Sequence, residues 1–110
     1  MSQDDAPLGT FEEQVLLAVL RTHHEAYGMN VRREIERVAR REVAIGAVYA
    51  TLDRLEAKGL ATSGRLVPGE RARRLFEVTP RGVAALAESR AMRERLWQGV
   101  DLSALPARGG

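Results

Sequence analysis

A mostly α-helical domain carrying one small β-hairpin is what the sequence predicts, and three observations point to it. Ahead of residue 60, three stretches read as helices, the clearest repeating Val48, Leu52 and Leu55 at i, i+4 and i+7. From about residue 60 to 78 the apolar period becomes extended and is interrupted by the turn dipeptide Pro68-Gly69. Beyond Thr79-Pro80, a threonine cap followed by a proline in the first helical position, helical spacing resumes.

Composition bounds the partners. At 110 residues, with 45% hydrophobic and 29% charged side chains, the chain has the size and balance of one small globular domain. Its net charge of +2 arises from 17 basic against 15 acidic residues, so the distribution of charge matters more than its sum. Asp4, Asp5, Glu12 and Glu13 make the front acidic, whereas Arg65, Arg71, Arg73, Arg74 and Arg81 cluster with only Glu70 and Glu77 among them. That asymmetry favours a localised anionic partner. The absence of cysteine removes disulfides, thiol catalysis and cysteine-ligated zinc together. No apolar run approaches a membrane span, and the first residues lack a basic start followed by an apolar core, so a cytoplasmic location is expected.

Taken in order, residues 1–7 are polar and end in Pro7, which reads as a flexible arm. Thr10 with Glu13 three residues on forms a capping box that opens the first helix. The run Val15-Leu16-Leu17-Ala18-Val19-Leu20 is apolar all round, so burial on two sides is expected, in the chain's own core and against a second subunit. His23 and His24 are adjacent, point about 100° apart on a helix and lack further ligands nearby; charge next to a helix C-terminus explains them better than metal. Gly28 marks a turn, and Val31, Ile35 and Val38 give the inner stripe of a second helix whose other face is Arg32, Arg33, Glu36, Arg37 and Arg40. Residues 42–44 are the turn into the third helix.

The third helix is the element the rest supports. Opposite its apolar stripe lie Ala47, Ala50, Thr51, Arg54 and Lys58, a face that is small at its start and basic at its end. Small side chains let a helix backbone approach base edges, and Arg and Lys reach bases or phosphates. Gly59 supplies a left-handed cap. Two strands follow, residues 60–66 and 73–78, with Leu60, Thr62 and Leu66 alternating on the first and Phe76 and Val78 on the second. The tip and second strand carry Arg71, Arg73 and Arg74, which either meet phosphate or blunt an exposed edge. Three helices and a basic hairpin are the layout of a winged helix-turn-helix domain, here residues 8–80. In the last helix, residues 81–100, the narrow stripe Ala85, Ser89, Met92 and Leu96 is of the coiled-coil kind and predicts a dimerisation helix. With Phe11, Val15 and Leu16 of the first helix it is the expected subunit interface. Residues 101–110, with Pro106 and Gly109-Gly110, read as a flexible tail.

No nucleophile and base pair, no phosphate-cradling glycine loop and no metal set can be assembled, so no catalytic residue, cofactor or metal is expected and an enzyme is disfavoured. Two functions remain open, a DNA-binding transcriptional regulator and a winged-helix module for protein contact.

Several pieces of the chain together resemble the PadR-like family of bacterial transcriptional regulators, in its compact form with a single C-terminal helix. They are Leu8-Gly9, Tyr27-Gly28, Gly46-Ala47-Val48-Tyr49, the run from Leu52 to Leu60, and Val78-Thr79-Pro80-Arg81-Gly82. The resemblance implies a homodimeric repressor on a pseudo-palindromic operator, with Gly46, Ala47, Tyr49 and Ala50 against double-stranded DNA and Tyr49 on a phosphate. It also implies release by a small aromatic or cationic effector stacked on Trp97. The chain departs from the family at Ala44, where a serine is frequent, and at the wing tip, where Glu70 interrupts the basic run.

Overall fold

The computed structural model describes residues 7–65 and 74–104. Residues 1–6 of the expected arm, the hairpin tip with Pro68-Gly69, Arg71 and Arg73, and the end of the expected tail lie outside the described residues. Three helices come first, α1 Thr10–Thr22, α2 Gly28–Ala39 and α3 Ile45–Ala57. Strands β1 Ala61–Arg65 and β2 Arg74–Val78 pair antiparallel, with Ala61 opposite Val78 and Arg65 opposite Arg74. Helix α4, Pro80–Trp97, follows, and a short 3-10 turn at Leu102–Ala104 ends the described chain. This is a winged helix-turn-helix with one long C-terminal helix, as the sequence predicts.

The core shows why these residues make these elements. Val48, Leu52 and Leu55, the inner stripe of α3, are fully buried, as are Val31 of α2 and Val15 and Leu16 of α1. Phe76 closes this core from the hairpin, and its N–H donates to the Ala26 carbonyl at 3.0 Å, fastening β2 to the loop ahead of α2. The turn between α2 and α3 is pinned through Val43: Arg32 Nε donates to its carbonyl, and its N–H donates to Glu36, both at 2.9 Å. Arg21 of α1 and Arg37 both pair with Glu34 of α2, and the Arg37 and then the Arg21 guanidinium hold that carboxyl down at about 2.

Helix α3 ends in a closed turn. Gly59 takes φ +76°, its N–H donates to Glu56 O, and Leu60 N–H reaches back to Leu55 O at 2.9 Å, so both orphan carbonyls are satisfied while Leu60 packs beside Leu55. This turn corrects the expected strand pattern. Leu60 faces the core as the closing residue of the helix rather than as the first strand residue, β1 starts one position later, and Ala61 points inward while Thr62 is exposed.

The start of α1 also differs from expectation. The cap is Gly9, whose N–H donates to Glu12 at 2.9 Å, and Glu13 is drawn away to an ion pair with Arg93 of α4. Gly28 is the first residue of α2 rather than a separate turn. A Cβ there would fall 2.4 Å from the Tyr49 ring, so the glycine is what lets α3 lie close to the start of α2.

Candidate nucleic-acid interface

Helix α3 presents an outward strip of Gly46, Ala47, Ala50, Asp53, Arg54 and Ala57, all exposed. Ala44 caps the helix without a side-chain bond, so the hydroxyl that a serine would supply is missing. A Cβ placed on Gly46 would meet no atom of the described residues within 4 Å. Among the described residues nothing therefore requires a glycine at this point. Tyr49 is half-buried, its ring laid on Gly28 and its hydroxyl beside the first turn of α2. Thr51, expected on the outer face, is instead buried and accepts a bond from Arg54 at 3.2 Å.

The cations of this face are held by carboxylates. Arg54 Nε and Lys58 Nζ lie 3.4 and 2.8 Å from the same Glu12 oxygen. Burial pushes the Glu12 carboxyl up, but Lys58, the Gly9 amide and Arg54 outweigh it and leave the group below its usual range. Arg74 donates to Asp53 at 3.0 Å and Glu56 at 2.7 Å, touches Ser63, and stacks over the Phe76 ring with its guanidinium carbon 4.8 Å from the centroid. Of the three wing arginines expected to meet phosphate, Arg74 thus braces the base of the hairpin against α3, and Arg71 and Arg73 are outside the described residues. Glu12, Asp53 and Glu56 as partners were not foreseeable from local pattern: Glu12 is 42 residues from Arg54, and only the fold brings the two together.

The residues expected at a subunit interface separate into two groups. Val15 and Leu16 are 0% exposed and belong to the protomer's own core, so they have no surface left to offer a partner. Phe11, Ala85 and Met92 are partly buried, and Ser89 is buried. Leu96, by contrast, is 69% exposed and Trp97 56%, with Val100 and Leu102 exposed just beyond them. On α1 the exposed apolar residues are Leu17 and Leu20, which line a groove with Val38 and Ala39 of α2. Trp97 borders a shallow depression with Ala91, Glu94, Arg95 and Gln98. His23 and His24 lie against each other with ring centroids 3.7 Å apart, and no group of metal-binding residues occurs among the described residues. No described helix is long and apolar enough to cross a membrane.

Comparison with known proteins bears on this arrangement. The model of the transcriptional regulator PadR-like family matches residues 16–88. The transcriptional regulator Rv3488 of Mycobacterium tuberculosis is 44% identical over 78 residues, which span 67% of this chain and 72% of that protein. Among solved structures, the complex structure of hsRosR-S1 superposes with a TM-score of 0.70 at 24% identity, covering 84% of this chain and 79% of that one. The structure of Bordetella bronchiseptica BpsR, a protein whose DNA binding is regulated by 6-hydroxynicotinic acid, superposes with a TM-score of 0.66 at 22% identity, covering 90% of this chain and 72% of that one. At these identities the two structures share the fold.

Proposed function

Because the chain belongs to the PadR-like family of transcriptional regulators, we propose that it is a homodimeric repressor of a pseudo-palindromic operator, released by a small aromatic or cationic ligand. Regulation of transcription follows from the family. The observation that carries the finer reading is the bare outward strip of α3, where Gly46, Ala47 and Ala50 leave the helix backbone open to close approach by a base-pair edge. In this reading residues 8–80 form the DNA-binding unit and 81–100 the dimerisation segment, whose helix α4 ends at Trp97 rather than running to residue 100. Tyr49 meets a phosphate, Arg54 and Lys58 lie at the far end of the contact, and Arg71 and Arg73 reach the flanking backbone from the wing. Two-fold symmetry places the α3 helices in successive major grooves, with half-site centres about 34 Å apart.

Selection of bound fragments from random duplex DNA tests this reading and yields the half-site. On the selected site, Gly46→Leu is expected not to lower the melting temperature, since a Cβ there meets open space among the described residues, and to cost roughly 5- to 100-fold in affinity, on the order of 1–3 kcal/mol for a disturbed base-pair contact. Arg54→Ala should relax preference at one position of the half-site, whereas Arg71→Ala and Arg73→Ala should weaken all duplexes alike and flatten the dependence of log K on log salt by about 0.9 for each phosphate no longer neutralised. Failure to enrich any duplex would favour the other reading, a winged-helix module for protein contact.

The effector reading is supported by Trp97, the only tryptophan of the chain, exposed at the end of α4 where it borders a shallow depression. A planar cation would gain stacking and cation–π attraction of about 0.5–2 kcal/mol there. Titrating planar aromatic cations against the protein is expected to quench Trp97 fluorescence and to weaken operator binding in parallel. Quenching without a change in operator affinity would leave Trp97 as a packing residue.

A further inference from the structure

Resting on the proposed DNA-facing role of α3, one carboxylate beneath that helix acquires a function of its own. Glu12 sits in the first turn of α1 and is 7% exposed. One of its oxygens accepts the Gly9 N–H at 2.9 Å, which ties the carboxylate to the helix start. The second oxygen is left for α3, where it receives Lys58 at 2.8 Å and Arg54 at 3.4 Å. The exposure is asymmetric. The Glu12 side chain is 9% exposed, while those of Lys58 and Arg54 are 32% and 52% exposed, so an anchored anion holds two cations that stand at the edge of the solvent.

We propose that Glu12 is a positioning residue for DNA recognition: it restrains Arg54 and Lys58 so that duplex of arbitrary sequence cannot recruit them, and only a matched site draws Arg54 away. Neutralising a phosphate is independent of sequence and favours any duplex equally. A cation already paired with a largely buried carboxylate gains little by moving to a phosphate, because the move strands the carboxylate without its partner. A base edge with two aligned acceptors offers Arg54 a bidentate contact in exchange, which a phosphate on random sequence does not. The neighbouring cluster has the same sense, since Asp53 and Glu56 occupy Arg74. Across the described part of this face, Arg54, Lys58 and Arg74 are matched by Glu12, Asp53 and Glu56, so non-specific attraction is kept low where the helix reads sequence.

The test is the salt dependence of full-length protein on random-sequence duplex and on a selected operator. Glu12→Gln retains the size and the Gly9 contact while removing the charge. It is expected to raise random-duplex affinity roughly tenfold and to steepen the plot of log K against log salt by about one to two units, at about 0.9 per phosphate newly engaged. The ratio of operator to random affinity should fall. Adding Arg54→Gln and Lys58→Gln to this variant should return the slope to the wild-type value. A loss of fold stability alone leaves the slope of the remaining folded protein unmoved. An unchanged random-duplex slope in Glu12→Gln overturns the proposal. Should that variant not fold, the single variants Arg54→Gln and Lys58→Gln in the wild-type background decide. Restrained cations predict an unchanged random-duplex slope for each, and a drop of about 0.9 for either overturns the proposal. Wild-type protein that binds no duplex at all refutes the DNA-binding reading itself, and this inference with it, whereas duplex binding with an unchanged slope in Glu12→Gln refutes the inference alone.

Discussion

Gly82→Ala is expected to lower the melting temperature by roughly 10 °C, at about 4–8 °C per kcal/mol for a domain of this size. Gly82 lies in the first turn of α4, where its N–H donates to the Thr79 hydroxyl at 3.1 Å. A Cβ at this position would fall 2.1 Å from the Leu60 carbonyl oxygen and 2.6 Å from a Val78 methyl. The carbonyl has no freedom to retreat, because it accepts the Thr79 N–H at 3.1 Å and belongs to the turn that closes α3. Overpacking against fixed backbone costs about 3 kcal/mol. Replacing glycine by alanine in a helix returns about 1 kcal/mol through reduced backbone entropy, so the clash wins by about 2 kcal/mol. The junction of α3, hairpin and α4 would open, which loosens the base of the wing as well. Gly64→Ala is the control, since among the described residues a Cβ there meets nothing within 4 Å, and its melting temperature should not fall. Equal behaviour of the two variants in thermal unfolding would show that the α4 junction is more plastic than this packing implies.

How much of this was legible in the sequence depends on whether the governing partner lay nearby in the chain. Val48, Leu52 and Leu55 announced the inner face of α3 because period alone sets it, and all three are fully buried. Gly59 and Thr79-Pro80 marked helix ends because caps are made from adjacent backbone. The failures are cases where a distant group prevailed over a local one. Glu13 had the spacing to cap Thr10, but Arg93 takes it, and Glu12 caps Gly9 instead. The all-round apolar run of α1 reflects a helix packed against α2, α3, β2 and α4. Its inner residues are consumed by the protomer, and only Leu17 and Leu20 remain outside. Val38 had the period of a core residue yet is exposed, because it lies beside those two leucines in the groove between α1 and α2. For the candidate site, Ala47, Ala50 and Arg54 of the outward face of α3 were readable from period, whereas Thr51, read onto the same face, is buried. The capture of Arg54, Lys58 and Arg74 by carboxylates was not, since charge pattern along a chain does not say which anions the fold will bring within about 3 Å.

Deleting residues 95–110 is expected to convert the protein into a folded monomer and to weaken operator binding by a factor of about 100 or more. Every described residue beyond Glu94 is exposed, so the described core loses none of its buried residues. Leu86 of the core, the buried Ser89, and Arg93, which pairs with Glu13, are all retained. What the deletion removes is an apolar end made of the exposed Leu96, Trp97, Val100 and Leu102. In the proposed dimer this end packs against the second subunit, where exposed Leu17, Leu20 and Val38 offer the complementary apolar groove. A dimer binds its second half-site as an intramolecular event, and the effective concentration so gained is worth a factor of about 10²–10⁴ that two independent monomers forgo. Sedimentation should show the monomer, thermal unfolding should show a cooperative transition, and the truncated chain should retain the salt slope of a single half-site. A truncated chain that still sediments as a dimer would move the subunit interface to the α1 and α2 surface alone. One that binds the operator as tightly as the full chain would remove dimerisation from the recognition mechanism.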